Sequence, residues 1–323
     1  MMRFIRTMEE FRDDAITTAP PGKKHRTMAI SEIIHVEPLH EQVEESNHFS
    51  SITDDEEEIE TIECTRSAVV DAPVKKTPPP MPLQTYIHLN ADPAKRRKTL
   101  ESLRPMQLAM ARRFIRDRSR FLDLAERHNS IEIVQTAVGG DQTAIQFINE
   151  PFTQANRTVR EVFDAVLHSS LNIEKALAEA NYAHDTVREG GIWNDEEIAH
   201  HRLVCSTDEV REDGEPLSID SNSVSLTEYD PVEDVGVMVV RYVDHDELFP
   251  YKPRERLRRD VVVMLLVSQE DFGVVLRAWV STRQRRSSYF KVADDAMERL
   301  RGELGQWGSY QLHSVRERLG VKP

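Results

Sequence analysis

The sequence predicts an α+β fold: a curved antiparallel sheet closed by a long C-terminal helix, preceded by a basic helix and a disordered acidic N-terminal region. Three observations predict it. Apolar residues recur at helical spacing from Asn156 to Ala180. From residue 182 the period changes to two over six segments. Helical spacing then returns from Phe290 to Leu319.

A chain of 323 residues allows one ordinary domain plus an unfolded stretch, or two small domains. An apolar fraction of 39% is low for a wholly globular chain, which favours the first. Charge divides the chain in three. Residues 1–90 hold nine basic and 17 acidic residues, a net −8. Residues 91–128 hold 11 and five, a net +6, and residues 129–323 carry −12. The expected organisation is therefore a disordered acidic, Pro-rich region (1–90), a basic helical segment (91–128) and an α+β domain (129–323). An acidic domain repels phosphate, so only the middle segment suits nucleic acid.

Pro20-Pro21, the block Asp54-Asp55-Glu56-Glu57-Glu58 and Pro78-Pro79-Pro80 punctuate the first region. Too few large apolar residues recur there to build a core. A short helix around Ile30–Ile34 would be marginal alone. The acidic tail is a candidate docking segment for a basic protein partner. No apolar run has signal-peptide length, the first residues do not read as a mitochondrial presequence, and none nears the roughly 18–20 residues that span a bilayer. The expected location is cytoplasmic or nuclear. Two cysteines, Cys64 and Cys205, support neither a disulfide framework nor a cysteine-based zinc site.

Asp92-Pro93 is a helix start, with Asp as cap and Pro in the first turn. Pro105 is expected to split this helix, the second piece running from Met106 to His128. Leu108, Ala111, Ile115, Leu122 and Ala125 then share one face, with Arg112, Arg113, Arg116 and Arg120 largely elsewhere. Those four arginines are the candidate nucleic-acid contacts. A leucine-zipper factor needs three or four heptads after its basic run, and here the pattern lasts barely one. Lys95-Arg96-Arg97-Lys98 reads as a solvated helix start, an import signal or a phosphate contact.

Segments 131–138 and 143–148 are strand-like around the turn Gly139-Gly140-Asp141. Val159, Val162, Phe163, Val166, Leu167 and Leu171 stripe the next helix, which Asn156 can cap. The six strand segments are 182–189, 199–206, 222–229, 235–243, 260–268 and 272–282. Alternation in the fourth and last predicts one uniformly apolar face and one charged face. In the last helix Leu300, Leu304 and Trp307 make the stripe. Gly302, Gly305 and Gly308 lie inside it, and each costs about 1 kcal/mol relative to alanine. Close approach of helix to sheet, or to a bound molecule, would compensate; the alternative is a break near Gly305. Helix, antiparallel strands and terminal helix follow the order of the helix-grip plan.

The segment Phe249-Pro250-Tyr251-Lys252-Pro253-Arg254-Glu255-Arg256-Leu257-Arg258-Arg259-Asp260 resembles part of a START-like group abundant in oomycetes, some labelled mating-specific-protein-like. The helix from Arg157 to Leu177 and the pair Trp307-Gly308 are similar to that group as well, so the resemblance spans about residues 156–320. It implies a helix-grip domain with an internal apolar cavity, often for lipids or sterols, and a basic coiled-coil-like helix before it. Pro105 and the missing heptads depart from that last feature.

The candidate ligand wall is Met238, Val240, Tyr242, Leu276, Ala278, Leu304 and Trp307, with the Trp307 indole N–H offered to a polar end. The expected partner is an apolar small molecule or lipid; the same residues would equally fill a closed core. Neighbours in a strand point to opposite faces, so His200 and His201 cannot chelate one metal, and one exposed and one half-buried ring are expected. Asp244-His245-Asp246-Glu247 reads as a solvated acidic loop or a hard-cation loop without EF-hand spacing. No nucleophile elbow, phosphate loop or dinucleotide fingerprint occurs, so no enzyme and no cofactor are expected. The remaining alternatives are a nuclear regulator acting through the basic helix, and an adaptor acting through the acidic tail.

Overall fold

Near-continuous apolar runs such as Val261–Val267 leave no polar face to turn toward water, and the sheet they form is covered on both sides. The computed structural model describes residues 85–135, 140–153, 157–175, 185–190 and 197–321. The expectations for residues 1–84, for the hairpin tip and for helix from 176 to 180 lie outside the described residues; the cap of the helix from Val159 is Thr158 rather than the expected Asn156.

The elements are β1 (His88–Leu89), α1 (Pro93–Ser119), β2 (His128–Gln135), β3 (Gln142–Phe152), α2 (Val159–Leu171), β4 (Asp185–Gly190), β5 (Ile198–Val210), β6 (Pro216–Asp230), β7 (Val235–Tyr242), β8 (His245–Asp246), β9 (Leu257–Glu270), β10 (Gly273–Gln284), α3 (Asp294–Leu304) and α4 (Trp307–Arg318). Among the described residues eight strands form one sheet in the order β2-β3-β10-β9-β7-β6-β5-β4, with antiparallel neighbours. Beyond the end of β7, β6 meets β9 directly and in parallel at Ile219 opposite Leu257, which draws the sheet inward there. The helix-grip plan is present: an antiparallel sheet with the C-terminal helices on one face.

Strand alternation assigns the two faces. Met238, Val240, Val263, Leu265, Leu276 and Ala278 point to one core, with Phe163 and Val166 of α2 and Trp307, Leu312 and Val315 of α4. Val237, Val239, Val262, Met264 and Trp279 point to a second core, covered by Leu100, Leu108, Ala111 and Ile115 of α1. The expected charged face is thus replaced by a second buried one. The apolar stripe of α1 that a coiled-coil partner would need is occupied by the sheet.

Asp92 caps α1, accepting from the Ala94 and Lys95 N–H groups at 2.8 and 3.0 Å. Pro105 does not split the helix, which runs unbroken for 27 residues. Pro105 and Glu101, whose carbonyl loses its helical partner, both lie on the exposed side, where that carbonyl is open to solvent. Next to it Arg104 donates to the Thr227 carbonyl at 3.0 and 2.6 Å, fixing the middle of the helix to β6. The helix ends at Ser119 rather than His128, because His128 already pairs with Asn149 in the sheet.

Thr158 caps α2 in a capping box with Glu161. The expected single C-terminal helix is two, α3 and α4, parted at Gly305-Gln306. A Cβ on Gly305 would lie 2.8 Å from Ile131 Cγ2, and one on Gly308 would lie 2.4 Å from Gln146 Oε1. Glycine therefore lets the helix pair lie against the sheet at both positions, whereas Gly302 faces open space. Arg316 clamps α4 to Glu150 of β3 at 3.0 and 2.6 Å.

Candidate functional site

On the inner face of β6 the alternation places Leu217 and Ile219 in the core, then Ser221, Ser223 and Ser225 at the same parity. Serines there interrupt an otherwise hydrocarbon wall. Opposite them Ser170 of α2 and Trp307 and Gln311 of α4 close over a cavity that His201, Leu203, Val240, Val261 and Val263 also line. Its space, counted together with the solvent at its mouth, is about 420 Å³ and narrow throughout. A second, narrower space of about 260 Å³ lies further along α4 between Leu265, Leu276, Ala278, Val280 and Leu312, and Gln311 borders both.

The predicted wall residues divide among these places. Val240 and Trp307 line the first space, and Leu276 and Ala278 the second. Met238 is fully buried in the same core but lines neither. Leu304 is buried near the break between α3 and α4 and lines neither. Tyr242 packs with the second core, on the α1 side, where the Arg241 and Arg258 guanidinium groups sit 5.6 Å from its ring centre. Strict alternation along β7 would have put it with Met238 and Val240, but Tyr242 ends the strand.

Sequence reasoning missed the polar stripe. Its signal was Ser221, Ser223 and Ser225 at the parity of Leu217 and Ile219. It also underestimated the histidines, neither of which is exposed. His200 is fully buried on the α1 side, its Nε2 2.8 Å from Asn222 Oδ1. His201 is 3% exposed, lines the cavity, and has no hydrogen-bond partner on either ring nitrogen among the described residues. Burial, reinforced by Arg188 and His200 and opposed by Glu174, pushes the His201 imidazole down to about 4. The ring is therefore neutral in the folded chain, while the unfolded chain binds a proton near pH 6.5. Stability should fall as the pH drops from 6.5 toward 4, by on the order of 3 kcal/mol from this ring. His201→Asn should reduce that slope in urea titrations and leave the contribution of His200, which burial shifts the same way.

The loop of Asp244, His245, Asp246 and Glu247 is not a solvated acidic loop. Asp246 is buried and receives two bonds from Arg96 at 2.6 and 2.9 Å; Asp244 accepts from the Ile87 N–H and Glu247 from the Ala91 N–H. The loop grips β1 and the start of α1, and Arg96 of the basic run is its buried partner. No group of three metal-ligating side chains occurs among the described residues. Arg112 and Arg116 both reach Glu233, at 3.0 and 3.4 Å. Arg113 pairs with Asp117 at 3.6 Å, and Arg120 lies over the Phe121 ring. Among the described residues no helix is long and apolar enough to cross a membrane.

No family model and no curated protein matches the sequence. Solved structures similar to this chain include a STAR-related lipid transfer protein fragment from Xanthomonas axonopodis, at 11% identity and TM-score 0.34, covering 59% of this chain and 98% of that one. The lipid transfer and protein localization domain of human StarD13 is 11% identical with TM-score 0.32, over 56% and 88% of the two chains. Human STARD10 is 10% identical with TM-score 0.33, over 64% and 82%.

Proposed function

We propose that this chain is a non-catalytic binding module whose sheet and C-terminal helices enclose a lipid-like molecule, apolar along most of its length and polar at one end. The observation that carries this reading is His201. A buried polar group without a partner costs about 1–3 kcal/mol. Here two ring nitrogens lack one among the described residues, and both belong to a side chain lining an internal space with three serines of β6. A hydroxyl or carbonyl of an occupant could accept from the ring N–H, and a hydroxyl could donate to the other nitrogen. Val240, Val261, Val263 and Trp307 offer its hydrocarbon part an apolar wall, and Leu276 and Ala278 extend that wall beyond Gln311. The free passage is narrow in this state, so an occupant must push α4 outward. The Gly305-Gln306 break, with the continuous helix ending at Leu304, supplies the place to bend.

Purified full-length chain should carry an apolar molecule detectable by native mass spectrometry and by organic extraction. Ser223→Leu, which fills the polar stripe with hydrocarbon, should lose it while retaining the wild-type circular dichroism spectrum. An empty wild-type chain that also fails to bind a fluorescent fatty-acid analogue saturably would overturn the reading.

A further inference from the structure

The segment on which the family resemblance rests is not spent on the internal cavity. Lys252, Arg256 and Arg258 instead line, with Arg285, Arg286 and the serines that follow, a surface groove of about 650 Å³ counted with its open solvent. No residue lines both this groove and the internal cavity.

Charge accumulates here against the trend of the chain. Residues 252–260 carry five basic and two acidic side chains, and residues 283–291 carry four basic and none acidic, in a domain whose net charge is −12. The neighbouring carboxylates do not neutralise them all. Asp260 is shared, accepting from Arg258 and from Arg285 at 2.6 Å each, so that trio keeps one positive charge. The carboxylate that lines the groove, Asp220, is held by Arg202 at 2.6 Å, and Arg256 is held by Glu189. The two remaining cations are loosely tethered. Arg286 lies 3.4 Å from Asp294, itself 95% exposed, and Lys252 lies 3.7 Å from an exposed Glu255. Both can swing into the groove without breaking a buried pair. Tyr289 and Ser288 are exposed at its edge, and Ser287 Oγ accepts from the Tyr289 and Phe290 N–H groups, which holds this rim in a tight bend. A surplus of fixed positive charge, two mobile cations and hydroxyl donors form the chemistry that recognises a phosphate group.

We propose that this groove binds a phosphate monoester, with Lys252 and Arg286 closing on its oxygens and the Arg258–Asp260–Arg285 trio supplying the fixed field behind them. The ester arrives either as a small soluble phosphate or as the headgroup of a lipid in a membrane. The test uses the full-length chain, the double variant Lys252→Ala/Arg286→Ala, and two probes. Glycerol 3-phosphate is titrated by calorimetry, and phosphatidylcholine vesicles with and without phosphatidic acid are used in flotation. Binding by the wild type should be saturable and roughly tenfold or more weaker in the double variant, since it loses two charge-assisted contacts. Both substituted side chains are about half exposed, so melting temperature should not move. Binding of the soluble ester alone identifies a small phosphate compound as the ligand, and binding only of vesicles containing phosphatidic acid identifies a headgroup. Failure of both probes, or equal binding by the double variant, overturns the proposal.

Discussion

Replacing Asp246 by alanine should lower the unfolding free energy by about 3–5 kcal/mol, a large part of the ~5–15 kcal/mol of an ordinary domain. The Asp246 carboxylate is buried and accepts from Arg96 twice, from the Asn222 amide at 2.9 Å, and from the Leu248 and Phe249 N–H groups at 3.0 and 2.9 Å. Its removal leaves the Arg96 guanidinium, itself fully buried, without a counter-charge. The loss arises from that stranded cation more than from the pair's own attraction, because bringing two charges out of water is costly to begin with. Arg96→Met combined with Asp246→Leu should therefore recover much of what Asp246→Ala loses. A double variant as unstable as the single one would show that the carboxylate acts mainly by ordering the 244–249 loop. The pH dependence follows from the same contacts. Burial would raise this acid, but the bonds from Arg96, Asn222 and Phe249 outweigh it and hold it at about 2. The depressed value means the contribution is whole above pH 3.8 and is lost as the pH falls toward 2, on the order of 2 kcal/mol. Guanidinium titrations across that range should show the slope in the wild type and its absence in the double variant.

The other large effect lies on the opposite face. Phe163→Ala should cost about 3–5 kcal/mol. The ring is 1% exposed, stacks with Tyr229 at 6.4 Å between centres, and rests on Gly236 of β7. A Cβ added at Gly236 would come within 2.4 Å of Phe163 Cγ and Cδ2, and 3.0 Å of its Cβ. The base of the side chain cannot move away without shifting α2. Gly236→Ala should thus destabilise by ~1–3 kcal/mol as an overpacked site. Phe163→Leu should cost less in the Gly236→Ala background than in the wild type, and a double-mutant cycle on denaturation midpoints measures this directly. Strict additivity would mean that glycine serves the strand there rather than the ring above it.

The contrast between these two sites explains how much of the molecule its sequence disclosed. Period-two segments located β5, β6, β7, β9 and β10, and Asp92-Pro93 located the start of α1. The stripe from Val159 to Leu171 located α2. Which side of the sheet is wet was misjudged, because alternation was read only where a charge happened to fall, as at Arg241 and Arg277. Both of those arginines are in fact buried, the first bonded to the Thr85 carbonyl and the second to Ser119 and Ser268. The near-unbroken run from Val261 to Val267 was the better guide, since a strand covered on both faces has no reason to alternate. Similarly, a run of acids reads as solvated until its partner is known. The partner of Asp246 is 150 residues earlier, and local sequence holds no sign of it. Of the candidate wall, Val240, Leu276, Ala278 and Trp307 followed from parity and helical spacing. Ser221, Ser223 and Ser225 share the parity of Leu217 and Ile219, and a search for apolar positions does not find them because they are polar.

The order of strands in the sheet has a consequence for how the chain matures. β3 is wedged between β2 and β10, with Phe152 opposite Val274, and the Ser119 end of α1 is fastened to Arg277, 158 residues downstream. A nascent polypeptide leaving the ribosome thus exposes α1 and the β2–β3 hairpin long before their neighbours exist. The second neighbour of β3 and the anchor of the Ser119 end of α1 exist only once β10 has been translated. A topology this rich in distant pairings is expected to fold slowly.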